Sequence, residues 1–251
     1  WENVPVKPHC RYRYALEKIA ASFAQVAARY EDDYIFCWFD WDGDNILMDG
    51  GIIDYGSVRQ FGLFHREYRY DDITRYSTNI VEQKSKAKYI VQTFCQAIEF
   101  LLKHQKQPIE QFSRHWGVKL FEKEFKRQRL KNICYKIGFT KEQTAYLVEK
   151  RPELIVNFRR PFTYFERSIS YRGKIDLPDG ITADAIFCMR DILREYPQIL
   201  LMGTKYINSK NFIDIIASHY AERKDLKINP YRKKQVRIFQ RGYHQLIEAV
   251  V

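Results

Sequence analysis

With 251 residues, 45% of them apolar and 16% aromatic, the chain has ample material for a buried core, and general disorder is excluded. Its formal charge of +11 admits nucleic acid, acidic membrane surfaces or phosphorylated ligands as partners and by itself selects none. No apolar run reaches the roughly 18 to 20 residues of a membrane span, and the opening WENVPVKPHCRYRY is not a signal peptide. Five scattered cysteines (Cys10, Cys37, Cys95, Cys134, Cys188), odd in number and without a CxxC spacing, argue against zinc and against a disulfide framework. Buried thiols in a cytoplasmic, reducing compartment are the expectation. A start at Trp1 predicts a piece of a longer protein.

Tyr12, Leu16, Ile19, Phe23, Val26 and Tyr30 recur in steps of three and four and predict an amphipathic helix over 10–30. The EDD at 31–33 ends it, and the apolar run 34–39 suits a short buried strand. Two brief β-type runs, 45–48 and 52–54, flank Asp49-Gly50-Gly51, a hairpin signal because these residues accept positive φ. Residues 57–79 show no clean period and read as a long ordered loop. A second long helix is expected over 81–106, with Ile90, Phe94, Ala97, Ile98, Leu101 and Leu102 as its apolar face. Further helices are predicted over 109–115, 118–136 and 141–149, the last opened by a Thr140 to Gln143 capping box after Gly138. Pro152, Pro161, Gly173, Pro178 and Gly180 predict an irregular middle, followed by helices over 183–195, 209–223 and 231–249. The fold class is α+β, mostly α-helical, and the division expected is 1–107 as a core and 108–251 as a helical extension continuous with it.

The chemistry concentrates at 39–56. Between Glu31 and Val58 stand eight carboxylates and no Lys or Arg, in a chain that is otherwise strongly basic. Clustered carboxylates repel and raise one another's pKa, so the arrangement calls for a cation or another reason to persist. Transfer of a phosphoryl or nucleotidyl group at a kinase-type site needs one carboxylate near the attacking hydroxyl, with an amide oxygen and a second carboxylate on the metal ions. Asp44 supplies the first, Asn45 and Asp54 the others, and the hairpin between them sets their ends side by side. The D-x-D-x-D of Asp40, Asp42 and Asp44 fails as a calcium loop, since Asn45 and Gly51 occupy the positions that need Gly and Glu. Asp42 and Asp49 read as turn formers.

DGDN at 42–45, ILMDGG, and IDYG at 53–56 together resemble the selenoprotein O family, kinase-fold enzymes that transfer AMP from ATP to protein hydroxyls. Arg75-Tyr76-Ser77 and Asn79 resemble a further segment of that family with one residue fewer, and the resemblance covers about residues 10–100. It implies a protein-kinase-like C-terminal lobe whose small β-hairpin carries the catalytic loop. It also implies Asp44 as catalytic residue, Asn45 and Asp54 as ligands of Mg²⁺ or Mn²⁺, ATP as nucleotide, and proteins as substrates. Arg75 either positions phosphate or orders its loop, with a salt bridge to Asp71 or Asp72 as the plain alternative. Trp38, Asp42 and Ser57 depart from the family's His, Asn and Pro. The 43 residues before Asp44 contain no GxG, so the glycine-loop lobe of such an enzyme is missing from this chain.

An inactive pseudokinase-like interaction scaffold is therefore the first alternative function. The second is a basic nucleic-acid-binding module, less favoured, raised by the clusters at 119–131, 159–160 and 231–241, where aromatics interleave with cations. Solvated helix faces account for such clusters more simply. His65 reads as a surface residue, and His104 and His115 as helix-end residues.

Overall fold

The computed structural model describes residues 7–37, 46–51, 53, 58–60, 82–176 and 182–251. They are mostly helical, with two short antiparallel ladders, and they divide into two compact units, with the main boundary in the sequence after Arg129. Among them no helix is long and apolar enough to cross a membrane.

The first unit is built on α1 (Pro8–Asp33) and α2 (Glu82–Lys103). Leu16, Ile19 and Phe23 are buried as their spacing predicts, and Ala20, Ala24, Ala27 and Ala28 complete the stripe at full burial. Small side chains along α1 let α2 approach closely. The face of α2 that meets α1 is Ala87, Val91, Cys95 and Ile98. The expected face is borne out in part: Ile98 is buried and Ile90 and Phe94 pack against the same core, Phe94 6.2 Å from Phe23 between ring centroids, whereas Ala97 is exposed and Leu101 and Leu102 are 48% and 38% exposed.

α1 outruns its predicted end, with EDD forming its last turn rather than stopping it. Tyr34 in the left-handed region (φ 55°) ends the helix, and its N–H bonds the Tyr30 carbonyl. β1 (Ile35–Cys37) then pairs antiparallel with β2 (Val58–Gln60), Ile35 opposite Gln60 and Cys37 opposite Val58. β2 lies where the sequence predicted only loop, and residues 61–79 lie outside the described residues. The Gln83 side chain donates to the Ile35 carbonyl at 2.9 Å and fixes the start of α2 to this ladder.

After α2, a 3-10 helix (Ile109–Arg114) leads into α3 (Trp116–Ile137). Phe112, Val118, Phe121 and Phe125 bury against the α1 and α2 core, so residues 108–129 pack with the first unit. Gly117 allows the closest approach: a Cβ there would sit 2.9 Å from Cys95 Sγ and 3.1 Å from Leu16. Glu122 joins α3 to α2 through Lys84 (2.8 Å) and Lys88 (3.1 Å). Burial opposes ionisation of Glu122, but the two lysines outweigh it and hold the carboxyl below its usual range.

The second unit starts from the end of α3. α4 (Lys141–Lys150) opens on the predicted capping box, with Gln143 N–H on Thr140 Oγ1 and Thr140 N–H on Gln143 Oε1. α5 (Pro152–Glu166) replaces the irregular stretch expected from its prolines. Pro152 occupies the first turn, where no N–H is required. Pro161 loses one bond in mid-helix, and the burial of Phe158, Phe162 and Phe165 outweighs that loss. β3 (Ile175–Asp176) pairs with β4 (Thr182–Ala183), and α6 (Met189–Leu201), α7 (Ser209–Ile216) and α8 (Pro230–Glu248) follow. The core is aromatic: Phe158 lies 5.0 Å from Phe239, Phe212 5.1 Å from Phe239, and Tyr196 5.2 Å from Tyr243, centroid to centroid. Cys95, Cys134 and Cys188 are buried free thiols, as expected of packing residues. Burial pushes the first two up to about 12, which keeps them protonated and unreactive.

Candidate functional site

The acidic stretch hangs from elements whose placement follows from the packing above. The β1–β2 ladder sets Cys37 opposite Val58, so the chain that leaves β1 returns to the same end of the ladder. Asp44, Asn45 and Asp54 all fall in this excursion. Its middle is a tight turn: Gly50 N–H donates to the Leu47 carbonyl at 2.9 Å, and Leu47 N–H to the Gly51 carbonyl at 2.8 Å. Asp49 Oδ1 accepts the Gly51 N–H at 2.9 Å, the turn-forming role its sequence context predicts. Gly50 adopts φ +83° and is pressed against α1, where an added Cβ would lie 3.2 Å from Val26 Cγ2. Gly50→Ala is therefore expected to cost about 1–2 kcal/mol through the left-handed backbone alone, seen as a lowered Tm and faster exchange of the Gly51 amide. An unchanged Tm would show that the turn relaxes freely.

Asp44, Asn45, Asp54 and Arg75 lie outside the described residues, as do Trp38, Asp40, Asp42, Ser57 and His65. Ile46 and Ile53, next in sequence to Asn45 and Asp54, lie on either side of the turn. Among the described residues no group of three or more His, Cys, Asp or Glu is placed to hold a metal ion. The donor set itself suits magnesium or manganese, since an amide oxygen and a carboxylate are hard oxygen ligands.

The structure also explains part of the charge inversion without a metal. Glu31 is buried, and its Oε1 lies 2.6 Å from Arg129 Nη1. Asp32 Oδ1 accepts from Arg129 Nη2 at 2.7 Å and from Nε at 2.9 Å. Two of the eight carboxylates thus belong to one guanidinium on α3, 97 residues along the chain from Asp32. No local pattern announces a pair so distant in sequence. The expectation of a cation then rests on the carboxylates beyond the α1 terminus.

The histidines at helix ends have local roles. His104 (φ 54°) ends α2 with its N–H on the Phe100 carbonyl. His115 Nδ1 accepts the Gly117 N–H at 3.2 Å, and burial lowers its pKa despite Glu99 at 3.7 Å. Compared with family models, curated proteins and solved structures, the chain gives no match.

Proposed function

We propose that the chain is the C-terminal-lobe portion of a protein adenylyltransferase of the selenoprotein O type, with a protein-kinase-like fold. The observation that carries this reading is the spacing of Asp44-Asn45 and Asp54-Tyr55-Gly56 around a turn. The tight hydrogen bonding at 47–51 and the antiparallel closure of Cys37 on Val58 support it. Asp44 takes the proton of a protein Ser, Thr or Tyr hydroxyl as its oxygen attacks the α-phosphorus of ATP. A phosphate ester to AMP forms and pyrophosphate leaves. Asn45 and Asp54 hold Mg²⁺ or Mn²⁺, which neutralises charge on the phosphates, and Arg75 steadies a phosphate.

The test is label transfer by the intact protein. ATP labelled at the α-phosphate marks protein, ATP labelled at the γ-phosphate does not, and Asp54→Ala lowers transfer on the order of a hundredfold or more. Unchanged transfer by that variant would sink the assignment. Trp38, standing in place of the family's His, favours a second reading as an inactive scaffold. That reading predicts no transfer by the unmodified protein and no calorimetric heat with Mg²⁺ and ATP.

A further inference from the structure

α8 is the most one-sidedly charged helix of the second unit. It carries Arg232, Lys233, Lys234, Arg237 and Arg241 and no carboxylate before Glu248. Arg232 is used internally: its Nη1 donates to the carbonyls of Asp225 (2.6 Å) and Lys227 (2.8 Å). The other four are exposed, and among the described residues none of them has a carboxylate partner.

Two grooves run along this helix. One, of about 590 Å³, lies between α8 and α5 and is lined by Arg160, Tyr164, Tyr231, Gln235 and Arg241. The other, of about 530 Å³, lies between α8 and the segment entering α7, lined by Tyr206, Lys233, Arg237 and Arg241. Among the described residues no carboxylate lines either groove, and Arg241 borders both. Lys233, Arg237 and Arg241 are spaced four residues apart, so they recur about every 6 Å along the helix. That interval is comparable to the spacing of successive phosphates along an extended strand.

The tyrosines distinguish this surface from a merely basic one. Tyr231 is 57% exposed and Tyr206 52% exposed, one at each groove. Each is held upright by an edge-to-face neighbour, Tyr231 by Tyr164 at 5.3 Å and Tyr206 by His244 at 5.0 Å. An acidic peptide would use the cations and leave these rings idle. A single-stranded nucleic acid uses both, its phosphates on the cations and its bases on the rings. We infer that the α8 cations, with Tyr231 and Tyr206 in the flanking grooves, form a binding surface for single-stranded nucleic acid. This surface is independent of the nucleotidyl-transfer reading and needs neither Mg²⁺ nor ATP.

Fluorescence anisotropy of the full chain with a labelled oligouridylate of about 20 nucleotides tests it, since such a strand is long enough to cover both grooves. Binding should weaken steeply with salt, and the triple change Lys233→Ala, Arg237→Ala, Arg241→Ala should flatten the slope of log K against log salt by about 2. Tyr231→Leu and Tyr206→Leu should each weaken binding about tenfold at an unchanged slope. All five side chains are exposed, and unchanged helical circular dichroism would tie the losses to the surface. No binding at low ionic strength would overturn the inference. So would tyrosine variants that bind as tightly as the unmodified chain, or equal displacement by heparin and by polyglutamate, which present charge without bases.

Discussion

Replacing Arg129 by methionine destabilises the first unit by about 3 to 5 kcal/mol, the usual cost of leaving a buried charge without its partner. The guanidinium meets two carboxylates with three of its nitrogens: Nη1 on Glu31, and Nε and Nη2 on one oxygen of Asp32. Its carbon also lies 5.9 Å from the Phe125 ring centroid. Methionine keeps much of the packing and removes the charge. Glu31, whose side chain is only 6% exposed, then has to be buried charged or protonated. Urea unfolding followed by circular dichroism reads the loss directly, and a shift below about 1 kcal/mol, the value of an ordinary surface pair, would show that the pair is solvated in solution.

Two companions sharpen this. Arg129→Lys keeps the charge but not the planar fork, so one ammonium cannot serve both acids and part of the loss remains. The pair Arg129→Met with Glu31→Gln removes both charges, and its loss is smaller than the sum of the two single changes. Since Tyr34 and β1 follow directly from this end of α1, fraying there loosens the base of the acidic excursion. On the proposed nucleotidyl-transfer reading, activity of the Arg129 variants is expected to fall with the folded fraction, with the magnesium dependence of what remains unchanged.

The helices were legible where apolar periodicity and caps agree. α1, α2, α3, α4 and α8 begin and end within a few residues of their predicted bounds, because a stripe of Leu, Ile and Phe at steps of three and four has few other uses. α5 was hidden by its own prolines, which read as punctuation until the burial of Phe158, Phe162 and Phe165 is seen. α2 shows the complementary limit: Ala87, Val91 and Cys95 are buried beside the predicted Ile98, while the predicted Leu101 and Leu102 are exposed, since apolar periodicity alone does not show how far a partner covers a helix. At the candidate site the turn was legible from Asp49-Gly50-Gly51, since glycine tolerance of positive φ is a local property. Arg129 was not, since a charge partner on another helix leaves no mark on the local sequence. The grooves beside α8 are the same case, made by residues of α5, α7 and α8 that only the packing brings together.

Phe158→Ala in α5 should cost the second unit about 3 to 5 kcal/mol, the range for deleting a fully buried phenyl ring. The side chain is 0% exposed and lies among Phe162 (6.1 Å), Phe239 (5.0 Å) and Tyr243 (6.1 Å). Gly242→Ala presses on the same seam from α8, at an expected cost of about 1 to 3 kcal/mol. Its Cβ would lie 3.2 Å from Phe158 Cα and 3.4 Å from Phe158 Cβ, so the obstruction is mostly atoms that alanine at 158 retains. Removing the ring opens space beyond those atoms and not at them. The double variant should consequently lose close to the sum of the two single losses. A double variant more stable than Phe158→Ala alone would mean that the Gly242 methyl group fills the cavity and that α5 and α8 shift to admit it. That outcome would replace the rigid glycine contact with a seam able to slide.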